Sequence, residues 1–224
     1  MPLILNIDTA TELASVCLSN NEKILAQREN TVQREHASFI HTAIKEVIAQ
    51  AGKPLKNIDA VAVTAGPGSY TGLRVGMATA KGLCYALGKP LITINTLEVM
   101  THAAIKGQNE EANPDTLFCP MIDARRMEVF TALYNSSLEE ILSPCALILD
   151  SLFFNTWLDE RKIMFFGNGS EKFKDIADHK NASFIEVHFS AKDLSALANT
   201  CFNNQEFANL AYAEPLYIKE FHSK

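Results

Sequence analysis

The sequence has little of what would place it at once in the commonest functional classes. Its five cysteines are odd in number, widely scattered and never arranged as Cys-x-x-Cys, which argues against a zinc knuckle or a disulfide framework and favours a reducing compartment. No apolar run is long enough to span a membrane. Residues 1–5 lack the basic segment of a signal peptide and predict a buried strand. We therefore expect a cytoplasmic chain without membrane contact.

Positive charge is also scarce. The 224 residues carry 20 Lys and Arg against 26 Asp and Glu, which gives a formal net charge of −6, and no stretch is rich in Lys or Arg. The chain as a whole therefore does not attract nucleic acid, and we expect any nucleic-acid contact to pass through a partner. With 47 % hydrophobic residues the chain can bury the core of one large or two small domains.

Sequence patterns of hydrolases are missing. His36 and His41 are five residues apart, so they do not share a helix face, and His102 stands alone. No Gly-x-Ser-x-Gly elbow occurs, and no Gly-Lys-Ser/Thr of a P-loop is present. A metallopeptidase therefore lacks ligands and a serine hydrolase lacks its nucleophile.

The chain is organised around a glycine-rich turn, GPGSYTGLRVG at residues 66–76. An apolar strand at 60–65 runs into this turn, and a helical pattern at 71–87 runs out of it. One interpretation is a plain strand-to-helix turn with Ser69 as the helix cap. The other is an anion or nucleotide site in which Gly68 and Ser69 present the helix N-terminus. The glycine spacing misses the dinucleotide fingerprint by one residue.

The order of elements predicts a duplicated α/β fold. Three strands within 3–28, a helix at 35–51, and the strand and helix of the glycine turn are typical of a ribonuclease-H-like or actin-like lobe, with a mixed sheet flanked by helices. After a polar stretch at 106–115, the pattern recurs when Asp123 is set on Asp8. We predict an N-terminal lobe at 1–105 and a reduced C-terminal lobe at 106–224.

Asp8 and Asp123 are the carboxylates at the two strand ends. In actin-like ATPases and sugar kinases such positions help to hold magnesium and phosphate, so one hypothesis is an ATPase or kinase acting on its own through Asp8, Asp123 and the 66–72 loop. The alternative is that each Asp caps its own β-turn through nearby N–H groups.

Two helical patterns suggest a partner surface. The first, at 35–51, has seven apolar positions, a stripe that is wide for one buried face. The second, at 71–87, is rich in small residues, and Gly76 and Gly82 each cost about 1 kcal/mol relative to Ala in a helix interior. These glycines allow close packing either on the sheet beneath or against another helix.

Several motifs, in order along the chain, resemble the TsaB (YeaZ) family. Besides the glycine turn they are Ala80-Lys81-Gly82-Leu83, Ile7-Asp8-Thr9, Ser15-Val16, Arg34-Glu35-His36, Thr96-Leu97-Glu98, Asp123-Ala124-Arg125 and Pro215-Leu216-Tyr217. Tyr70 stands where Phe is usual, and Ala37 where Ser is usual. The resemblance implies a subunit that helps to form N6-threonylcarbamoyladenosine in tRNAs reading ANN codons.

The same resemblance implies that this chain is not the catalyst. The catalytic relative, TsaD, carries its metal on a helix start resembling Asn-His-Leu-Glu-Gly-His, and here Thr96 and Met100 stand at the two histidine positions. The chain is expected to pair with TsaD, or with a second copy when alone, and the small ATPase TsaE is expected to bind the complex. ATP and threonylcarbamoyl-AMP are used by that complex, and no cofactor is assigned to this chain. The expected partner surface comprises His36, Ile40, Ile44, Gly72, Arg74, Gly76, Thr79, Ala80 and Leu83.

Overall fold

A computed structural model describes residues 1–32, 35–108 and 115–219. The strands are β1 (Leu3–Asp8), β2 (Ala14–Asn20), β3 (Lys23–Asn30), β4 (Ala60–Gly66), β5 (Leu91–Asn95), β6 (Leu117–Asp123), β7 (Glu128–Tyr134), β8 (Glu140–Ile148), β9 (Ile163–Phe166) and β10 (Ala182–Phe184). The helices are α1 (His36–Ala51), α2 (Tyr70–Leu87), α3 (Thr96–Gly107), α4 (Asn155–Leu158), α5 (Ser170–Lys174) and α6 (Ala191–Asn203), with a 3-10 turn at Leu55–Asn57.

The strands form two five-stranded mixed sheets with the same topology. The first sheet has the order β3-β2-β1-β4-β5 and the second has the order β10-β9-β6-β7-β8. In each, the first strand pairs antiparallel with the second and parallel with the fourth. The predicted duplication of an actin-like, ribonuclease-H-like lobe is thus confirmed, with Asp8 and Asp123 ending equivalent strands.

The chain divides into two compact units. One consists of Met1–Val99 and Phe189–Leu216, and the other of Met100–His188 and the residues after Leu216. The prediction divides the chain at a single boundary, between residues 105 and 106. In the structure the first unit also includes a C-terminal segment, because α6 packs on its sheet. Of the polar stretch expected at that boundary, residues 109–114 lie outside the described residues. Residues 33 and 34, which include Arg34 of the Arg34-Glu35-His36 motif, also lie outside them.

Both faces of the first sheet are covered. Alternate β1 residues Leu5 and Ile7 pack in one core with α1 and α2. Ile4, on the opposite face, packs in another core with Leu194 and Ala198 of α6. This two-sided burial explains why β1 reads as an uninterrupted apolar run.

A segment without helix or strand follows α6 and returns across the first unit. We call residues 204–216 the C-terminal strap. The Ala208 N–H donates to Leu91 O at 2.8 Å beside β5, and the Leu216 N–H donates to Ala65 O at 2.7 Å beside the glycine turn. Between these points, Lys81 Nζ donates to Ala213 O at 2.7 Å. The strap therefore covers an edge of the sheet and one side of the glycine turn.

The second unit has an aromatic core, in which Phe154 packs edge-on against Phe165 and Phe173. Its third strand, β8, begins at Glu140. Across the described residues, none of the helices combines the length and apolar character that crossing a membrane requires.

Candidate functional site

Asp8 closes the first strand-end turn from inside the protein. Its side chain is fully buried, and its Oδ1 accepts hydrogen bonds from Thr64 Oγ1 at 2.7 Å and from the Ala10 N–H at 3.1 Å. Burial raises the pKa of Asp8 to about 6; these two hydrogen bonds oppose the rise and the charge of Asp193 adds to it. The carboxyl thus caps its own turn, as the second of the two sequence interpretations expects.

The backbone of the turn between β1 and β2 packs directly against the glycine-rich turn. Ala10 O accepts the Ser69 N–H at 2.7 Å, and a Cβ at Gly68 would overlap the same carbonyl. Ser69 Oγ accepts the Gly72 N–H at 3.3 Å, so Ser69 is the helix cap, as predicted. An N–H donor and the space that a phosphate would use at this helix start are therefore taken by the chain's own backbone.

Two glycines of α2 serve packing within the unit. A Cβ at Gly72 would overlap Thr9 O, and a Cβ at Gly76 would overlap Thr9 Oγ1 and touch Val63 at 3.4 Å. Thr9 Oγ1 also donates to Gly72 O at 2.8 Å. The β1–β2 turn already occupies the space in front of Gly72 and Gly76, and their place on a partner surface stays a prediction.

The other predicted partner residues divide by burial. Ile40 and Ile44 belong to the core of the first unit, and His36 is 4 % exposed, with its Nε2 3.1 Å from Glu12 O. Thr79 and Ala80 are buried as well. In the single chain these five residues are buried within the first unit, and all seven apolar residues of α1 contact the same core, so a partner contact through them stays a prediction.

Arg74 and Leu83 are placed differently from those buried residues. Arg74 is exposed, with its guanidinium carbon 3.9 Å from the centroid of the Tyr70 ring. Leu83 is partly buried at the margin of the core. The exposed residues of α2 that lie outside the prediction are Thr71, Ala78, Gly82, Tyr85 and Ala86.

Asp123 closes the equivalent turn of the second unit, but at the surface. Its Oδ1 accepts the Arg125 N–H at 2.6 Å and Lys172 Nζ at 2.7 Å. Slight burial would raise the pKa of Asp123, but the hydrogen bonds and charges of Lys172 and Arg125 hold it below its ordinary value. Asp123 therefore caps its turn as an ionised carboxylate.

A second glycine turn packs against the end of β6, where Asp123 lies. A Cβ at Gly167 would overlap Met121 O, and a Cβ at Gly169 would lie 3.0 Å from the carbonyl carbon of Ile122. Between them, Asn168 Oδ1 accepts the Asp123 N–H at 2.9 Å. Sequence reasoning assigned no role to Asn168 or Lys172, although the internal repeat, which aligns the strand–glycine–helix stretch at 163–170 with that at 60–72, could have indicated them.

The start of α3 holds no metal ligands at the two positions compared with TsaD. Thr96 and Met100 are both buried, and Asn95 Oδ1 accepts the Leu97 N–H at 2.8 Å, so Asn95 caps α3. Within residues 1–32, 35–108 and 115–219, no three His, Cys, Asp or Glu side chains gather into a group able to hold a metal ion.

Comparisons with known proteins agree with this architecture. The family model described as TsaD, tRNA N6-adenosine threonylcarbamoyltransferase, matches residues 23–224. The "tRNA threonylcarbamoyladenosine biosynthesis protein TsaB" of Bacillus subtilis is 27 % identical over 96 % of this chain and 98 % of its own length. The protein of the same description from Escherichia coli is 38 % identical over 58 % of this chain. The matched part spans about half (54 %) of that relative's length.

Two solved structures from Pseudomonas aeruginosa share the fold. One, described as an uncharacterized protein with similarity to peptidase YEAZ, superposes with a TM-score of 0.83 at 23 % identity over 98 % of this chain and 100 % of its own. The other, described as YeaZ, gives 0.79 at 23 % identity over 97 % of this chain and 100 % of its own. Their level of identity supports a shared fold only.

The repeated sheets, each with a capped strand-end turn, define an actin-like protein of two units. The chain belongs to the TsaD family, within which it is one of the TsaB (YeaZ) proteins.

Proposed function

We propose that this chain is a non-catalytic, cytoplasmic subunit in the formation of N6-threonylcarbamoyladenosine in tRNAs reading ANN codons. It supports the transferase TsaD, which carries out the group transfer, and the small ATPase TsaE binds the assembled complex. The relatives from B. subtilis and E. coli, both described as tRNA threonylcarbamoyladenosine biosynthesis proteins, support the pathway. ATP and threonylcarbamoyl-AMP are used by the partners.

The observation that carries the non-catalytic role is the closure of the glycine turn. In an actin-like ATPase the strand-end Asp and the glycine turn face a nucleotide. Here Ala10 O bonds to the Ser69 N–H, and Asp8 is fully buried on Thr64. A phosphate could enter only if the β1–β2 turn moved away from Gly68 and Gly72, so the turn serves as structure.

The outward face of α2 is the surface that we propose for TsaD, or for a second copy when the chain is alone. Gly82 lies on this face with no atom within 4 Å of where its Cβ would be, and Tyr85 is 84 % exposed. A glycine in a helix interior costs about 1 kcal/mol relative to Ala. Close approach of a partner backbone at Gly82 would offset that cost, as small residues allow at helix–helix contacts.

Co-purification with TsaD from the same organism tests this proposal. We expect the wild-type chain to form a stable complex and Gly82→Arg to fold but fail to bind, because the long side chain blocks the helix contact. Gly107→Arg is the matched control, since Gly107 ends α3 and also has nothing within 4 Å.

Equal binding by wild type and Gly82→Arg would show that the partner does not sit on this face. ATP hydrolysis by the isolated chain, with a nucleotide-dependent rise in its unfolding temperature, would overturn the non-catalytic role. It would favour the alternative of an independent actin-like ATPase or kinase, and Asp8 and Asp123 would then be the residues to mutate.

A further inference from the structure

The turn between β6 and β7 presents two adjacent arginines in an uncommon backbone conformation. Arg125 and Arg126 have φ values of 70° and 51°, the left-handed region that residues other than Gly, Asn and Asp adopt infrequently. Both residues are exposed. The packing of a surface turn does not require two long cationic side chains, so we look for their role in an interaction with another molecule.

The turn is held firmly by its neighbours. The Ala124 N–H donates to Glu128 O at 3.0 Å, and the Glu128 N–H donates to Arg125 O at 3.1 Å. Lys172 Nζ bridges Asp123 Oδ1 at 2.7 Å and Glu128 O at 3.3 Å. The two arginine side chains therefore project from a fixed base, which lowers the entropy cost of binding.

The acidic side chains beside the turn are already paired. Asp123 forms a salt bridge with Lys172, and Glu128 forms one with Lys219. The guanidinium groups of Arg125 and Arg126, in contrast, make no hydrogen bond or salt bridge to another described residue. Arg125, Arg126, Lys172 and Lys219 together outnumber the two carboxylates. The turn is therefore a locally positive surface on a chain whose net charge is −6.

The equivalent turn of the first unit shows that the fold does not need this chemistry. There the residues equivalent to the two arginines are Ala10, which is buried and accepts the Ser69 N–H of the glycine turn at its O, and Thr11, which is partly exposed. The second glycine turn reaches only as far as Asp123 through Asn168. The duplicated turn has therefore been closed in one unit and left open, with two arginines, in the other.

We propose that the β6–β7 turn binds phosphate groups of the tRNA backbone through Arg125 and Arg126. Two adjacent guanidinium forks match phosphate oxygens, and a contact of this kind positions an RNA without reading its bases. The choice of tRNA rests on the proposed function, and it revises the expectation that RNA contacts are left entirely to a partner. An acidic protein surface is the competing occupant.

Binding of a labelled, unmodified tRNA transcript that reads an ANN codon tests the proposal. The full-length chain is titrated alone and in complex with TsaD, at several salt concentrations, as wild type and as the double variant Arg125→Gln/Arg126→Gln. We expect the double variant to bind at least several-fold more weakly and to reduce the slope of log K against log salt by about 1 to 2. Arg161→Gln/Lys162→Gln is the matched control, because this pair is also adjacent, exposed and in the second unit.

The outcomes separate the two proposals. Unchanged affinity and salt slope in the arginine variant overturn the phosphate contact, as does an absence of tRNA binding by wild type in both forms. Loss of co-purification with TsaD in the arginine variant alone, with tRNA binding retained, assigns the turn to an acidic protein surface. If no complex with TsaD forms but the isolated chain binds tRNA through Arg125 and Arg126, the phosphate contact stands and the proposed function fails.

Discussion

At the scale of single residues, the glycines of α2 have opposite surroundings. Gly76 packs under Thr9 and beside Val63, whereas Gly82 has open space in front of it. Both lie in the interior of α2, and in an isolated helix both would carry the same propensity penalty. Their roles therefore follow from what lies opposite each one, within the chain for Gly76 and outside it for Gly82.

Alanine at these two positions should change stability in opposite directions. We expect Gly76→Ala to lower the free energy of unfolding by about 1–3 kcal/mol, because the new methyl group overlaps Thr9 Oγ1. Gly82→Ala should raise it by about 0.5–1 kcal/mol through helix propensity. Urea unfolding of the isolated chain at two protein concentrations measures both and separates any contribution from self-association. Equal signs would contradict the packing described for α2.

Asp8 makes the stability of the first unit depend on pH. Burial raises its pKa from 3.8 to about 6, so between these values the folded state holds a proton that the unfolded state has released. The resulting stabilisation is complete below about pH 4 and is lost as the pH rises through 6.

The variant Asp8→Asn should remove this dependence. We expect the free energy of unfolding of Asp8→Asn, relative to wild type, to rise by about 2 kcal/mol between pH 4 and pH 7. Urea titrations at half-unit pH steps measure it, and Asp178→Asn, which removes an exposed carboxylate, controls for the change in net charge. A difference between Asp8→Asn and wild type that stays constant with pH would show that Asp8 is ionised in the folded state throughout this range.

At the scale of elements, the C-terminal strap depends on α2. Lys81 donates to Ala213 O at 2.7 Å and to Ala211 O at 3.4 Å. The strap then bonds to Ala65 through the Leu216 N–H, and a Cβ at Gly66 would lie 2.8 Å from Leu216 O. Two sequence motifs far apart in the chain, the glycine turn and Pro215-Leu216-Tyr217, thus meet at Leu216.

Replacing Lys81 should loosen the strap without unfolding the unit. In Lys81→Met we expect hydrogen–deuterium exchange at the N–H groups of Ala208 and Leu216 to become roughly ten-fold faster, because a charge-assisted hydrogen bond is lost. Exchange in β1 and β4 should be unchanged. Lys45→Met, at an exposed position of α1, is the control, and equal protection of the strap in both variants would show that its backbone hydrogen bonds suffice.

At the scale of the whole molecule, the sequence predicted the fold better than the site. Strand and helix patterns are local, and the repeat of Ile7-Asp8-Thr9 as Ile122-Asp123-Ala124 was enough to predict two similar sheets. The burial of Ile40 and Ile44 was missed because the width of an apolar stripe does not reveal how much of it the chain itself covers. The packing of Gly76 depends on Thr9, a contact across 67 residues that periodicity does not contain.

The return of α6 to the first unit was likewise outside the reach of local patterns. The Ala191 N–H donates to Ser15 Oγ at 2.8 Å, and Cys17 Sγ donates to Ala191 O at 3.1 Å. Small polar residues on β2 are compatible with many partners, so nothing in their sequence identifies a helix near the other end of the chain. Only the folded structure shows that the two units are not consecutive.

This discontinuity has a consequence during protein synthesis. When residues 1–99 have left the ribosome, the face of the first sheet that carries Ile4, Ile92 and Ile94 lacks Leu194 and Ala198 of α6. At translation rates of about 5–20 residues per second, roughly 5 to 20 s pass before α6 is synthesised and can pack on that face. Residues 100–188 of the second unit can fold within this interval, so most of the later unit forms before the earlier one is complete, and an apolar sheet face stays exposed to chaperones until α6 emerges.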